Sequence, residues 1–330
     1  VKKAKINDKI VNLFIGGNNL CQSVSQSVSQ SVSQSVSQSV SQSVSQSVSQ
    51  SVSQSVSQSE YRNVAVITTT IGRKTLEKAI LSVRSQTYPC KHYVFVDGKQ
   101  YWANVEPLLK KYPEVIFTFL PMNTGGENDI GNGGIHAILP YLLKEDIFCF
   151  LDDDNWHEPE HVEYLVNMIV KYQLDYAYSL RYLYDDNGTF ISKDCCGSIG
   201  FWKAEVSVMI ETQKVGLVSV SNNSEPLIDT NSYALTRKIS FELSESWYSG
   251  TANDRTVFRK LLSLNAKGGF TGKCTTHYKL TPIFDREQFY KEEIYQAVRL
   301  QNEKVIEMGI TWDMPTIYTN NELIALSENR

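Results

Sequence analysis

Three consecutive carboxylates, Asp152, Asp153 and Asp154, follow the apolar run Phe148-Cys149-Phe150-Leu151. Like charges placed side by side repel, so such a cluster needs a cation, a bound ligand or full solvation. An oxygen-only donor set suits Mg²⁺ or Mn²⁺. A divalent ion held beside a diphosphate would neutralise a leaving group. The plainer alternative is a solvated acidic turn. The loop is no EF-hand, because it lacks glycine at the sixth position. The string His157-Glu158-Pro159-Glu160-His161 matches the H-E-x-x-H pattern of zinc proteases. That chemistry needs both histidines inside one helix, and Pro159 belongs in a first helical turn, which leaves His157 outside it. The glycines at 131, 133 and 134 lack the G-x-G-x-x-G spacing, so a dinucleotide fingerprint is not supported.

The surrounding elements place the carboxylates at one end of a sheet. Residues 64–70 form a β-branched run that reads as a buried strand. Residues 74–86 carry apolar side chains at helical spacing, and 92–96 read as a second strand ending in Asp97-Gly98. A helix around Val105, Leu108 and Leu109, a strand over 115–120, a Gly/Asn-rich loop over 123–134 and a helix through Leu143 come next. A strand over 147–151 runs into the aspartates, and a helix is expected over 158–172. This β-α alternation predicts a mostly parallel sheet with helices on both faces, whose ligands bind at the carboxyl ends of the strands. Thr69, Thr70, Asp97 and the three aspartates are on that rim. Further on, 176–184 and 189–192 read as a hairpin, helices are expected near 234–247 and 254–264, a strand over 273–280 and a long amphipathic helix over 286–308.

Several segments together resemble the GT-A-type nucleotide-sugar glycosyltransferases of the large, mostly inverting family 2. Val66-Ile67-Thr68-Thr69-Thr70-Ile71-Gly72-Arg73 is similar to the family's first strand, V-I-I-P-T-Y-N-R. Ile80 to Tyr88 resembles I-x-S-V-x-x-Q-T-Y, Phe95-Val96-Asp97-Gly98 resembles V-D-D-G-S, and Asn123-Thr124-Gly125 with Gly131-Asn132-Gly133-Gly134 resembles the N-x-G and A-R-N-x-G segments. Asp152 to Asp154 then occupy the D-x-D position. The resemblance implies an α/β GT-A (Rossmann-like nucleotide-diphospho-sugar transferase) fold, with a mostly parallel sheet, flanking helices and a smaller acceptor-binding C-terminal part. It also implies the roles. Thr70 and Asp97 would contact the nucleotide base, with Arg73 nearby; Asp152 would take the ribose or the sugar, and Asp154 would ligate Mg²⁺ or Mn²⁺. Thr69, Asn132 and Asp153 complete the donor set. Ile71 and Gly72 depart from the common aromatic and Asn, which bears on base stacking.

An inverting transfer needs a general base for the acceptor hydroxyl. In the family this is an Asp in an acidic pair at a helix start. Ala252-Asn253-Asp254-Arg255 is similar, so Asp254 is the candidate base; otherwise it caps the helix. His277, on a late strand, would be a second metal ligand, as C-terminal histidines are in some GT-A enzymes; otherwise it is structural. Trp202, Asp229 and Trp247 are candidates for an acceptor sugar site, because aromatics stack on sugar faces.

Residues 23–58 are nine tandem copies of Ser-Val-Ser-Gln. A period of four drifts from the helical 3.6, and serine is a poor helix former, so this segment is expected to be disordered. A four-base DNA unit read in triplets closes its frame after four codons, and AGTC read this way gives Ser-Gln-Ser-Val. Such tracts slip in replication, which suggests an on/off expression switch, phase variation, of the kind host-adapted bacteria use on surface structures. A Ser-rich linker or adhesive stalk is the plainer reading. The domain reading is a leader over 1–22, the repeat over 23–58, a GT-A domain over 59–285 (donor half 59–157, acceptor half 158–285) and a helical extension over 286–330.

The chain of 330 residues carries a net charge of −4. Four lysines against one aspartate give the first 22 residues +3 and the repeat is uncharged, which leaves about −7 for the remainder. An acidic body disfavours nucleic acid as a partner. The six cysteines form no C-x-x-C pair, and no apolar run approaches a membrane span, so a cytoplasmic protein is expected, with peripheral inner-membrane contact through the basic leader at most. The function expected is transfer of a hexose from a nucleotide-diphosphate sugar, UDP-hexose favoured, to a hydroxyl of a lipid-linked lipooligosaccharide, lipopolysaccharide or related surface glycan. The alternatives are a glycan-binding or adhesive protein without catalysis, a GT-A-like nucleotidyltransferase, and a retaining transferase.

Overall fold

A computed structural model describes residues 62–125, 131–200, 205–222, 225–249, 253–281, 289–310, 312–319 and 322–325. The leader and repeat readings, and Trp202, lie outside the described residues.

The first half follows the expected alternation. β1 (Val64–Thr70), α1 (Leu76–Arg84), β2 (Lys91–Asp97), α2 (Trp102–Lys111), β3 (Ile116–Leu120), α3 (Gly133–Leu142) and β4 (Ile147–Phe150) come in turn. β5 (Trp156–His157), α4 (His161–Tyr172), β6 (Tyr176–Tyr184), β7 (Phe190–Lys193), β8 (Ser207–Thr212) and β9 (Gly216–Ser221) follow. The chain continues through a 3₁₀ turn (Thr230–Ser232), β10 (Tyr233–Thr236), α5 (Arg237–Trp247), α6 (Asn253–Ser263), β11 (Gly268–Lys279), α7 (Lys291–Glu307), β12 (Thr316–Thr319) and β13 (Glu322–Ala325).

The main sheet has the order β13-β12-β11-β6-β10-β4-β1-β2-β3. β1 pairs parallel with both β2 and β4, and β2 with β3. β10 runs antiparallel between β4 and β6, and β6 pairs parallel with β11. Apart from β10 and β12, every strand on this path points the same way, which is the expected α/β GT-A architecture. β8 and β9 form a separate hairpin.

Strand alternation divides the core between two layers. Ala65, Ile67, Phe148, Phe150, Tyr233 and Leu235 pack with Ile135, Leu139, Leu243, Trp247 and Phe258 of α3, α5 and α6. Val64, Val66, Cys149 and Leu151 face Ala79, Val83, Val162 and Leu165 of α1 and α4.

Three expectations about elements are corrected. The helix expected from Ala234 begins only at Arg237, because Tyr233–Thr236 is a buried strand inserted between β4 and β6. The strand expected from Lys273 begins at Gly268. Its two leading glycines are there for contact: a Cβ on Gly268 would lie 2.2 Å from the Tyr176 ring, and one on Gly269 2.3 Å from Leu174. Among its described residues, the segment read as a helical extension holds one helix and two strands, and β12 pairs with β11 in the main sheet.

The Gln86-Thr87-Tyr88 string splints the helices beneath the site. Gln86 donates to the Glu158 carbonyl at 2.8 Å and accepts from the Val162 amide at 3.0 Å, tying the end of α1 to the start of α4. Thr87 donates to Glu163 at 2.6 Å.

Candidate active site

The parallel register builds the rim. Ile67 of β1 lies opposite Phe150 of β4, so the residues beyond Phe150 come level with Thr69 and Thr70. From Leu151 to His157 the chain alternates between buried and half-buried positions: Leu151, Asp153, Asn155 and His157 face inward, while Asp152, Asp154 and Trp156 face the cleft. The chain turns here, with the Asn155 amide donating to the Asp152 carbonyl at 3.2 Å, and the turn leaves Asp153 inside while Asp152 and Asp154 are partly exposed. Asp153, only 1% exposed, is committed internally. It accepts from Thr70 at 2.5 Å and from Arg73 at 2.6 Å, and Arg73 also reaches Asp154 at 3.4 Å. The Thr70 hydroxyl accepts from the Gly72 amide at 2.9 Å. Gly72 has φ +74°, a left-handed backbone that Gly and Asn tolerate best, which accounts for glycine where the resembling motif has Asn.

Thr69 accepts from Asn132 at 2.7 Å, and the same amide approaches Asp152 at 3.3 Å. Asn132 is brought there by the start of α3, which presses against α5: a Cβ on Gly133 would fall 2.1 Å from the Trp247 carbonyl oxygen. Asp97 accepts from the amide and hydroxyl of Thr124 at 2.8 and 2.9 Å, one to each carboxylate oxygen, which leaves each oxygen a lone pair.

The other wall comes from the 3₁₀ turn and α6. Asn231 accepts from the Asp152 amide at 2.6 Å and donates to its carboxylate at 2.7 Å. Asp229 accepts from the Asn231 side chain and backbone, both at 2.9 Å, and from Arg181 at 2.6 Å. Arg181 donates also to Asp194 at 2.8 Å and lies over the Tyr278 ring at 4.2 Å. Asp254, in the first turn of α6, accepts a short hydrogen bond from the Thr230 hydroxyl.

Burial, and next the Asp154 charge, push Asp152 up to about 7, with the Asn231 hydrogen bond pulling the other way. Burial and the Asp229 charge push Asp254 up to about 7, opposed by the Thr230 hydrogen bond and Arg181. Burial also raises Asp154, which Arg73 opposes. Burial thus disfavours the charged form of all three carboxylates, and a bound cation would restore it. Oxygen donors fit a hard divalent ion, and Mg²⁺ takes one or two carboxylates and completes its shell with phosphates and water. Among the described residues no group of three or more His, Cys, Asp and Glu is gathered to hold an ion on protein ligands alone. Asp154 would be the protein's ligand.

His277 has other partners. Its Nε2 pairs with Glu158 at 2.7 Å, its Nδ1 with the Tyr184 hydroxyl at 2.9 Å, and its ring stacks on Trp156 at 4.8 Å. The ligand role expected for it requires one of those bonds to open. Trp247 is core, 1% exposed between His136 and Phe150, and so lines no sugar site. Asp229, expected at the acceptor, is bound up with Arg181 and Asn231. His157 lies in β5 and His161 opens α4, as Pro159 required, and the two rings stack at 3.6 Å.

Sequence reasoning missed Asn231, Thr230 and Arg181. The one local signal is Asp229, which caps the 3₁₀ turn through the Asn231 amide. Nothing in the local sequence says that this turn faces Asp152, 79 residues away.

The rim at the carboxyl edge of the parallel sheet lies in a stretch similar to known glycosyltransferases: residues 64–206 match the model of Glycosyl transferase family 2. That match takes in the rim from Thr69 to Asp154 and ends before Asp229, Asn231 and Asp254. A Haemophilus influenzae protein described as uncharacterized is 36% identical over 74 residues, 22% of this chain and 50% of that protein. The chain thus matches about half the length of this curated relative. Among solved structures, S. aureus TarS 1–349 covers 66% of this chain and 60% of its own at 15% identity and a TM-score of 0.46. The same protein in complex with UDP-GlcNAc covers 74% and 66% at 14% identity and a TM-score of 0.45. No helix among the described residues is long and apolar enough to cross a membrane.

Proposed function

We propose that the protein transfers a hexose from a nucleotide-diphosphate sugar, UDP-hexose favoured, to a hydroxyl of a lipid-linked surface glycan, with inversion at the anomeric carbon. The observation that carries this reading is the gathering of Asp152 and Asp154 just past the carboxyl end of β4, with Asp254 linked to Asp152 through the adjacent residues Thr230 and Asn231. Asp97, Thr69, Thr70 and Arg73 border the base end of the donor, and Asp152 the ribose or the sugar. Mg²⁺ or Mn²⁺, bound through Asp154, would supply positive charge to the departing diphosphate. Asp254, pushed up to about 7, is matched to accept a proton near neutral pH. The acceptor oxygen attacks the anomeric carbon, its proton passes to Asp254, and the bond to the diphosphate oxygen breaks with its electron pair leaving on phosphate. Surface glycan as the acceptor is supported by the Ser-Val-Ser-Gln repeat, whose frame logic suits a phase-variable gene. The acceptor's lipid would bring the protein to the inner membrane peripherally.

Calorimetric titration with UDP, with Mn²⁺ and with EDTA, on the parent and on Asp154→Ala, tests the donor site. Binding that needs Mn²⁺ and is lost in the variant is the expected result. Absence of UDP binding in every condition would overturn the UDP assignment. Serine codons of the repeat that lack a four-base unit would overturn phase variation.

A further inference from the structure

We propose that the 3₁₀ turn Thr230–Ser232 is a positioning clamp that fixes the donor carboxylate and the base relative to each other: Asn231 holds Asp152 and Thr230 holds Asp254. This rests on the reading of Asp254 as the base. Two consecutive residues of one turn bond to the two carboxylates, so the spacing between Asp152 and Asp254 is set by a single peptide unit rather than by long loops.

The turn is built for rigidity. Asn231 is 1% exposed, and every polar group it has is engaged. Its amide donates to Asp229, and its carbonyl accepts from His157 Nε2 at 2.9 Å and from the Thr276 hydroxyl at 3.3 Å. Its side-chain oxygen accepts from the Asp152 amide, and its side-chain nitrogen donates to both Asp152 and Asp229. Behind it, Arg181 fixes Asp229 from β6, and the Ser198 hydroxyl accepts from the Asp229 amide at 2.6 Å. Asn231 itself is fully paired, although Ser232 Oγ and His157 Nδ1 beside it have no partner, so moving Asn231 would leave further buried polar groups unpaired. A carbonyl only accepts, so His157 carries its proton on Nε2; the histidine of the protease-like string is spent on this carbonyl. Thr230 adds the directional element, since its hydroxyl hydrogen can be donated to only one acceptor and Asp254 takes it.

The charged and titratable groups around Asp254 are Asp229 before the turn, Arg181 of β6, Tyr233 of β10, Tyr278 of β11 and Arg255 of its own helix. Of the groups that favour the charged form of Asp254, Thr230 is the one that can be removed without changing any of these.

The test reads Asp254 directly. Protein labelled with ¹³C at aspartate carboxyls is titrated by NMR, with the Asp254 signal assigned from its loss in Asp254→Asn. Thr230→Val is expected to raise the Asp254 midpoint by half a unit or more, and Thr230→Ser to restore it. An unchanged midpoint in Thr230→Val, or a shift that serine leaves in place, overturns the clamp at Thr230. Asn231→Ala is expected to weaken UDP binding in Mn²⁺ about tenfold, the scale of one lost buried hydrogen bond to a charged group; unchanged affinity overturns the clamp at Asn231. Urea midpoints of the variants identify any that fail to fold. A parent that binds no UDP would reject the donor reading while the Asp254 titration still decides the Thr230 contact.

Discussion

Arg181→Met separates the two kinds of ion pair in this molecule. Arg181 is 11% exposed and bridges Asp194, 2% exposed, and Asp229, 7% exposed. Burial works against its charge, but Asp229 and Asp194 outweigh it and hold the guanidinium firmly protonated. Methionine keeps much of the volume and the contact with Tyr278 while deleting the charge. Two buried carboxylates are then left. Asp194 retains amide donors from Cys196, Gly197 and Ser198 at 3.2, 2.6 and 3.1 Å, so most of the cost falls on Asp229, whose remaining donor is Asn231. Breaking a buried pair from one side costs about 3–5 kcal/mol, against a total domain stability of about 5–15 kcal/mol. With a urea m-value of about 3 kcal/mol/M, the midpoint should fall by about 1–1.7 M. The control is Arg299→Ala, which removes a half-exposed helical pair at 3.7 Å; it should move the midpoint by under about 0.3 M, because exposed pairs contribute about 1 kcal/mol or less. The pH dependence has a definite sign. Burial alone would raise Asp194, yet Arg181 and the amides hold it below the usual carboxylate range. Its contribution is therefore present above an ordinary aspartate midpoint near 4 and disappears as pH falls through the lowered value. The gap between parent and variant should be complete at pH 7 and narrow in acid, where the stranded carboxylates protonate. A midpoint within 0.3 M of the parent at pH 7 would refute the reasoning, as would a gap that widens in acid.

Asp254→Asn should lower kcat for sugar transfer by about 10²–10⁴ while keeping UDP binding. In the parent, kcat/KM should fall about tenfold per pH unit below about 7, as the base protonates, and NMR of the product should show the inverted anomer. His136 is buried between Phe150 and Trp247 with an unpartnered Nδ1, and burial pushes it down to about 3. The unfolded chain takes up its proton from about pH 6.5 downward, so stability is lost between 6.5 and 3. That loss is about 2 kcal/mol at pH 5. His136→Phe should remove it, read as a smaller drop in urea midpoint between pH 7.5 and 5 than the parent shows.

What could be read from the sequence had a local cause. The first four strands and the helices between them follow from uninterrupted β-branched and apolar runs separated by helical spacing. The position of Pro159 was enough to place His157 outside α4. The failures are equally physical. Tyr233–Thr236 is four residues of apolar chain followed at once by a helix, and at that length a buried strand and a helical turn look alike. Gly268 and Gly269 fell outside the expected strand because the Tyr176 ring and Leu174 that exclude their side chains come from more than 90 residues earlier. β12, Thr-Ile-Tyr-Thr, has strand-favouring residues, but only its pairing with β11 fixes it as a strand.

The same division runs through the site. The sequence by itself determined which carboxylates are adjacent, that the strands before them are buried, and that their ends share one rim, because these depend on periodicity and on chain direction in a parallel sheet. Only the tertiary structure decided that Asp153 turns inward to Thr70 and Arg73, that Asp229 pairs with Arg181, and that Asn231 and Thr230 hold Asp152 and Asp254. Those assignments depend on which donor each oxygen meets across 24 to 83 residues of chain, and that is fixed by packing.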